Sequence, residues 1–551
     1  MFTSLLSGRR GRNIREYLTA YLMIAPAVIL IFTFGIFPVG FALYVSLFRW
    51  RLKQGDFIGL TNYQQAIGNL IFVLLFALAV GGVIGTIKIL QQIKARSEER
   101  KTRPWVLALP SIIYATMVLS FIRWTILLLP NVLGIADKIV GQEKTRQLFV
   151  QLLWEAFTNE TVLSGWWLFV GLLLGSILVG ILTIALSQTP DKFIFQIYFL
   201  IAWLAIFLSG FILWFTYNQV INAYQAAAQT GTSPAIWSQI VTVLSGVILL
   251  WFAWKFWPSF PQNDGGKVFL LRIFFGLVFL VGGWLLLGEI PVFVAASDPD
   301  VWSGLKVTIF YSIGTIPFQL GISIFLAVLL FQQLRGSELF RMLFFLPYVT
   351  PAVASAAVFR QLFSNRVQSP INQILRLIGI QPQQWLFEPK GIFTLLGDSI
   401  GVSIPTWAAG PSLALVVIII YSIWTFVGYD TVIYLAGLGN IPDELQEAAE
   451  IDGAGRWQVF RFITFPLLSP TTYFLSLIAV IGTFKAFNHI WVMRQDLALG
   501  TTDTFSVTIF IEFYDKLRYG YASALAFVLF AVILSLTYLN NRIQGTRVFY
   551  G

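Results

Sequence analysis

Apolar runs long enough to cross a bilayer recur from Tyr17 to Leu539, and they leave few folds open to this chain. A helix rises ~1.5 Å per residue, so roughly 20 apolar residues span ~30 Å of hydrocarbon. No water is present in that layer to satisfy backbone N–H and C=O groups, which restricts spanning elements to helices and closed barrels. Barrel strands would read as ~10-residue alternating segments, and none is found. The fold class is therefore an all-α polytopic membrane protein. About twelve transmembrane helices are expected, centred near residues 32, 79, 117, 177, 205, 246, 283, 318, 351, 425, 480 and 531. Composition agrees: 11% of residues are charged, against about a quarter in a soluble domain.

The net charge of +10 raises the question of nucleic acid, but the basic residues sit in short loops between apolar runs and form no stripe or tail. They read as topology signals, and no nucleic-acid partner is expected. With the basic N-terminus on the cytoplasmic side and an even number of spans, both termini are cytoplasmic. The predicted inside segments (1–16, 88–103, 189–192, 255–272, 332–341, 441–468 and from 540) then carry more than half of the 36 Lys and Arg. The densest cluster is Lys88, Lys94, Arg96, Arg100, Lys101 and Arg103. Beside its topogenic role, it is suited to anionic membrane lipid. The absence of Cys and the single His exclude disulfides, thiolate chemistry and a histidine metal cluster. Arg9, Arg10, Arg12 and Arg15 precede an apolar stretch that runs to about Phe48, far longer than a signal-peptide core, so a retained anchor is expected. Predicted outside segments at about 131–165, 364–411 and 490–519 are candidate docking surfaces. The second contains Pro370, Pro382, Pro389, Pro405 and Pro411, which suits short helices and turns.

One cytoplasmic loop, 441–468, departs from a plain connector. Asn440 is a suitable N-cap, Pro442 falls in the first turn, acids follow where the helix dipole favours them, and Gly453 is able to end the helix left-handed. A second helix is expected from about Gly455 to Phe465, stopping at Pro466. Asp443, Glu444, Glu447, Glu450 and Asp452 place acids where basic residues are the rule, and Leu445, Ala448, Ala449, Trp457, Phe460 and Ile463 add small or apolar faces. Two readings follow: a surface made for a partner's basic groove, or a hairpin packed on its own protein.

Glu447-Ala448-Ala449, Gly453, Ile463 and Pro466 resemble the EAA loop of ABC import permeases, with Phe465 where Leu is usual. The string Glu447 to Ala454 is similar to the sugar-permease branch related to the membrane subunits of the maltose importer. The resemblance extends to Phe340-Arg341, Phe345, Pro347 and Pro351, to Ile371-Asn372, Gly379 and Trp385-Leu386, to Leu435-Ala436-Gly437-Leu438 and to Gly59-Leu60-Thr61-Asn62-Tyr63. It implies a type I ABC importer permease core in the bacterial cytoplasmic (inner) membrane. Glu447, Ala448, Ala449, Asp452, Gly453, Ile463 and Pro466 would then couple to an ATPase. It covers 1–69, the tail and first span, and 296–551, the core. Between them, 70–295 reads as an inserted segment of about six spans, either a lipid-facing belt or accessory domain, or a second pathway. The family's Gly-Gly-Pro turn after its fifth span is missing: Met493-Arg494-Gln495-Asp496 leads instead to Gly500-Thr501-Thr502-Asp503. That puts contacts with a binding protein in doubt.

Sugars present hydroxyls for hydrogen bonding and apolar ring faces for stacking. On the expected spans near 480 and 425, Phe487, Asn488, Trp424 and Tyr429 are the substrate-binding candidates, with packing or interfacial roles as the alternative. Lys485 and Asp430 invite an ion pair, but the topology sets them toward opposite faces. Gly265-Gly266-Lys267 is followed by Val268 and lacks the upstream glycine of a Walker A motif, so ATP and magnesium are expected on a partner ATPase and no cofactor in this chain. The implied assembly is a second permease subunit, two ATPase subunits and an external solute-binding protein. Rival readings are an ion-coupled secondary carrier, and a membrane enzyme using the outer acids Asp496, Asp503, Glu512 and Asp515, whose plainer role is solvation.

Overall fold

The computed structural model describes residues 9–102, 104–186, 191–229, 231, 234–256, 266–332 and 336–544. Arg103, Gly265 and the expected inside segments at 1–8, 189–190 and 545–551 lie outside the described residues. The helices in chain order are α1 (Arg9–Ile31), α2 (Phe37–Ser46), α3 (Thr61–Ile67), α4 (Leu70–Glu99), α5 (Ala108–Leu133), α6 (Arg146–Thr158), α7 (Glu160–Leu186), α8 (Lys192–Gln229), α9 (Ile236–Phe256) and α10 (Gly266–Ala295). They continue with α11 (Pro299–Phe331), α12 (Ser337–Val349), α13 (Ala352–Leu362), α14 (Pro370–Leu377), α15 (Ile392–Ile400), α16 (Leu413–Leu438) and α17 (Asp443–Ile451). The last are α18 (Arg456–Leu467), α19 (Ser469–Phe484), α20 (Asn488–Met493), α21 (Phe505–Phe510) and α22 (Tyr519–Gln544).

Among the described residues, 10 helices are long and apolar enough to cross a membrane, or up to 12 if each of two bent pairs counts as one span. The bends correct two of the expected spans. Near 351 the chain is broken: α12 and α13 meet at 94°. Pro351 has no N–H to give the helix and keeps Thr350 extended (φ −66°, ψ 135°), so the ladder stops there. The span near 480 ends at Phe484, and its helix α19 is bent by 62° from α18. Lys485, Phe487, Asn488 and His489 thus lie beyond the helix end, at the break before α20 and in its first turn.

Two compact units divide the chain, one comprising 1–68 with 290–551, the other 69–289. In the first, α11 and α16 pack along a buried polar seam. Tyr311 Oη lies 2.7 Å from Ser422 Oγ, Gln319 Nε2 donates to Asp430 Oδ2 at 2.6 Å, and Ser323 Oγ donates to the Val427 carbonyl at 3.0 Å. In hydrocarbon, close backbone approach and such polar contacts replace hydrophobic burial as the glue between helices. Gly428 of α16 supplies the closest approach: a Cβ there would stand 1.8 Å from the Phe344 carbonyl oxygen of α12.

The second unit runs α4 against α8. Gly82 meets Ser209 while Arg96 meets Tyr198, so one helix ascends as the other descends. Gly246 of α9 and Gly282 of α10 each sit against the other's carbonyl, and a Cβ at either position would stand 3.0 Å from that oxygen.

Candidate coupling loop and translocation surface

The 441–468 loop projects from two anchored ends. Leu438, Ile441 and Leu468 are buried in one apolar cluster with Tyr434, Ala327 and Leu475, and Gly437 lets α16 approach Thr471. Between the anchors, α17 forms over Asp443–Ile451 with Asp443 and Glu444 in its first turn, where the N-terminal partial charge favours them. Asn440 is not its cap. Pro442 occupies that position and no side chain caps the helix; Asn440, two residues earlier, lies in the preceding turn with its backbone N–H on Gly437 O. At the other end Gly453 adopts φ 82°, its N–H reaches Glu450 O at 3.0 Å, and Ala454 N–H reaches Ala449 O at 2.9 Å, a Schellman closure. The second helix does not stop at Pro466. It passes through a π turn at Phe460–Thr464 and ends at Leu467, since a proline in the first turn of the segment Phe465–Leu467 gives up no needed N–H.

Glu447, Ala448, Asp452 and Gly453 are exposed, whereas Ala449, Ile463 and Pro466 are half-buried. Ile451 (86% exposed), Trp457 (67%) and Phe462 (70%) also face outward. Of the two readings of this hairpin, packing on its own chain is not what the structure shows for these side chains.

The four substrate candidates fall into three aromatic groups. Phe487 packs on Phe510 (centroids 4.7 Å) and Trp491 (5.8 Å), with Asn488 exposed beside it. Trp424 packs on Phe359 (5.1 Å) and Tyr421 (6.1 Å). Tyr429 stacks on Tyr348 at 4.5 Å. Tyr421 links the first two groups, because its ring stacks on His489 at 5.2 Å, next to Asn488. No ring stacking joins Tyr429 directly to Phe487 or Trp424 among the described residues. His489 Nε2 lies 3.0 Å from Tyr311 Oη and 3.3 Å from Ser422 Oγ, so the lone histidine is a satisfied buried group. Sequence reasoning missed this Tyr311–Ser422–His489 cluster, whose members lie up to 178 residues apart. Asp430 is paired with Gln319 and not with Lys485.

Elsewhere in the unit, Asn372 organises the 364–386 segment. Fully buried, its Nδ2 donates to the carbonyls of Arg366 (3.0 Å) and Gln383 (3.1 Å). Its Oδ1 accepts from Gln383 N–H (3.0 Å) and Trp385 Nε1 (2.7 Å). Asn62 acts likewise after the first span, donating to Ser46 O and Phe48 O. The stretch 493–503, where a Gly-Gly-Pro turn is usual, is closed by Arg494, whose Nε and Nη2 reach Asp503 at 2.8 and 3.2 Å, with Asp496 at 3.1 Å. The Asp503 carboxylate, then Asp496, raises the Arg494 pKa against the opposing effect of burial.

Of the outer acids, Asp503 and Glu512 are sheltered and paired within the protein, whereas Asp496, 95% exposed, and Asp515 face solvent. Glu512 is 1% exposed and is held by Lys516 Nζ at 2.8 Å. Arg518 Nη1 approaches its other oxygen at 3.1 Å, close enough to pair but not aligned as a hydrogen bond. Among the described residues no cluster of His, Cys, Asp and Glu is able to hold a metal ion.

The family described as binding-protein-dependent transport system inner membrane component matches residues 319–547. A probable ABC transporter permease protein, YesP of Bacillus subtilis, is 33% identical over 256 residues, 46% of this chain and 75% of YesP. The lactose transport system permease protein LacF of Rhizobium radiobacter is 30% identical over 248 residues, 44% of this chain and 76% of LacF. The trehalose/maltose transport system permease protein MalF of Thermococcus litoralis is 28% identical over 251 residues, 46% of this chain and 77% of MalF.

Proposed function

We propose, for a chain that belongs to the ABC transporter permeases of binding-protein-dependent transport systems, that it forms part of the membrane pathway for a sugar, oligosaccharide or glycoside osmolyte and couples to an ATPase through its 441–468 loop. The substrate class rests on the names of relatives such as the lactose and trehalose/maltose permeases. The single observation that carries the coupling role is the hairpin itself: two short helices, locked by Gly453, anchored at Ile441 and Leu468, and presenting Glu447, Asp452, Ile451 and Trp457 outward. Acids beside exposed aromatics on a rigid projection suit a cleft that is basic at its rim and apolar within.

In this reading, ATP and magnesium bind two partner ATPase subunits, and a second permease subunit completes the pathway. An external solute-binding protein delivers substrate to the face organised by Asn372 and Arg494. The termini and the 441–468 loop face the cytoplasm of a bacterial cell. Because α16 joins the loop directly to Trp424 and Tyr429, movement of the loop would be transmitted to the pathway as a rigid-body tilt. Phe487 and Asn488, with Trp424 and Tyr429, offer ring faces and an amide to a sugar.

The test is affinity purification of the tagged chain without crosslinking, comparing wild type with Glu447→Lys. An ATPase that accompanies the wild type and is lost from the variant supports the coupling role. Recovery of no ATPase with either protein would refute it and favour an ion-coupled carrier.

A further inference from the structure

We propose that the second unit holds the headgroup of an anionic, hydroxyl-bearing phospholipid, of the phosphatidylglycerol kind, in a cavity between α4 and α8, with an acyl chain lying along a glycine-floored groove on α4. The cavity is a depression of about 440 Å3, open on one side and lined by Gln92, Ala95, Arg96, Glu99 and Tyr198. Arg96 is the anchor. Its Nη1 donates to Tyr198 Oη at 3.1 Å and its guanidinium lies 5.9 Å from the centre of that ring, so the cation is oriented toward the cavity wall instead of swinging in solvent. A planar guanidinium so fixed matches a phosphodiester in two-point geometry.

The helix periodicity carries the site into the membrane. Gly81, Gly85, Lys88, Gln92, Ala95 and Glu99 recur at steps of three and four residues and share one face of α4. Lys88 is exposed and makes no ion pair among the described residues, so a second cation stands two turns below Arg96. Below it, a Cβ at Gly85 or Gly81 would meet nothing within 4 Å, leaving a smooth open track where a side chain would otherwise stand. Across the seam, Ile201 and Leu208 of α8 are exposed on the same side as Tyr198 and offer an apolar wall. A soluble phosphate would use the cavity alone, whereas only a lipid uses cavity and track together.

The neighbouring carboxylates narrow the headgroup. Glu98 is near Lys94 (3.9 Å) and Asp191 pairs with Arg100, which leaves Glu99 as the acid lining the cavity. A carboxylate there repels a bare phosphate dianion but accepts hydrogen bonds from glycerol hydroxyls attached to a singly charged phosphodiester. Topology signalling accounts for the number of basic residues at this end of α4, but not for a cavity, an oriented guanidinium and an open glycine track in continuity.

The test uses the full chain purified in detergent and examined by native mass spectrometry after mild delipidation, then titrated with phosphatidylglycerol and, separately, phosphatidylcholine. The expected result is one retained phosphatidylglycerol per chain, with phosphatidylcholine bound about tenfold more weakly or worse. Lys88→Gln and Arg96→Gln should each reduce retention about tenfold. Gly85→Leu should do the same with every charge intact, which an anion-only site would not. If Arg96→Gln fails to fold, Lys88→Gln and Gly85→Leu still decide. Retention unchanged in both, or full displacement by glycerol phosphate, would overturn the lipid site, the latter in favour of a soluble anion. The outcome is independent of whether the 441–468 loop binds an ATPase.

Discussion

Replacing Gly428 by Ala should weaken the membrane core far more than the same replacement at Gly321, and the structure indicates by how much. A Cβ at 428 would lie 1.8 Å from the Phe344 carbonyl oxygen and 2.3 Å from its carbon, both backbone atoms, so no side chain is able to yield. Real Cβ atoms essentially never approach closer than 3.0 Å, so α12 must retreat by roughly 1.2 Å. Overpacking of this kind costs about 1–3 kcal/mol, a factor of about 5 to 150 in the folded population. At Gly321, also within a spanning helix, a Cβ would meet nothing within 4 Å, and alanine should gain up to about 1 kcal/mol of helix propensity. The retreat also pulls Tyr348 away from Tyr429, so uptake should fall with stability. Thermal unfolding of the two variants in one detergent, followed by intrinsic tryptophan fluorescence, gives the difference directly. Equal midpoints for Gly428→Ala and Gly321→Ala would refute the claim that α12 rides on the Gly428 backbone.

Asn372→Ala removes both the acceptor for Trp385 Nε1 and Gln383 N–H and the donor to two well-placed carbonyls, a local loss of about 2–4 kcal/mol. Protease cleavage within 364–386 should accelerate at least tenfold while the global unfolding midpoint changes little. Gly453→Val places a β-branched residue at φ 82°, costing about 1–2 kcal/mol, and should reduce ATPase recovery in the purification assay without altering membrane insertion. The Glu512 hydrogen bond, its largest cause, raises the Lys516 pKa, so the folded value exceeds the unfolded one. Its stabilising contribution is complete below 10.5 and is lost as pH rises through the raised value. Lys516→Met should flatten the alkaline limb of a stability profile measured from pH 8 to 12. Glu512→Gln should lower stability at neutral pH, because Lys516 and Arg518 both lose their shared buried carboxylate, and Asp300, 3.9 Å from Lys516, is a more distant and exposed substitute.

Much of the architecture is legible from residue order because hydrocarbon admits so few solutions. A run such as Leu413–Leu438 has to be a helix once it lies in a bilayer, and the even number of such runs carries the topology argument. The coupling hairpin is legible for a local reason: Gly453 closes α17 through bonds to residues three and five positions back, all within one stretch of sequence. Its residues also carry the family resemblance. The breaks are less visible. Pro351 stops the helical ladder but lies in a stretch whose mean hydropathy suits a span, and prolines such as Pro317 sit inside an unbroken helix elsewhere in the chain, so the proline alone does not set a 94° turn, which the packing of α13 on α20 and of α12 on α16 completes.

What only the tertiary structure decided are the pairings between residues distant in the chain. His489 is satisfied by Tyr311 and Ser422, Asp430 by Gln319, and Arg96 is set against Tyr198 across 102 residues. Residue type shows that such groups need partners in a medium without water, since an unpaired polar group there is costly. It does not show which partner. That choice depends on helix rotation and register, which follow from close contacts such as Gly428 on Phe344 and Gly82 on Ser209. The apolar pattern by itself determined that this chain spans a membrane; packing decided where its spans break and which polar side chains face one another.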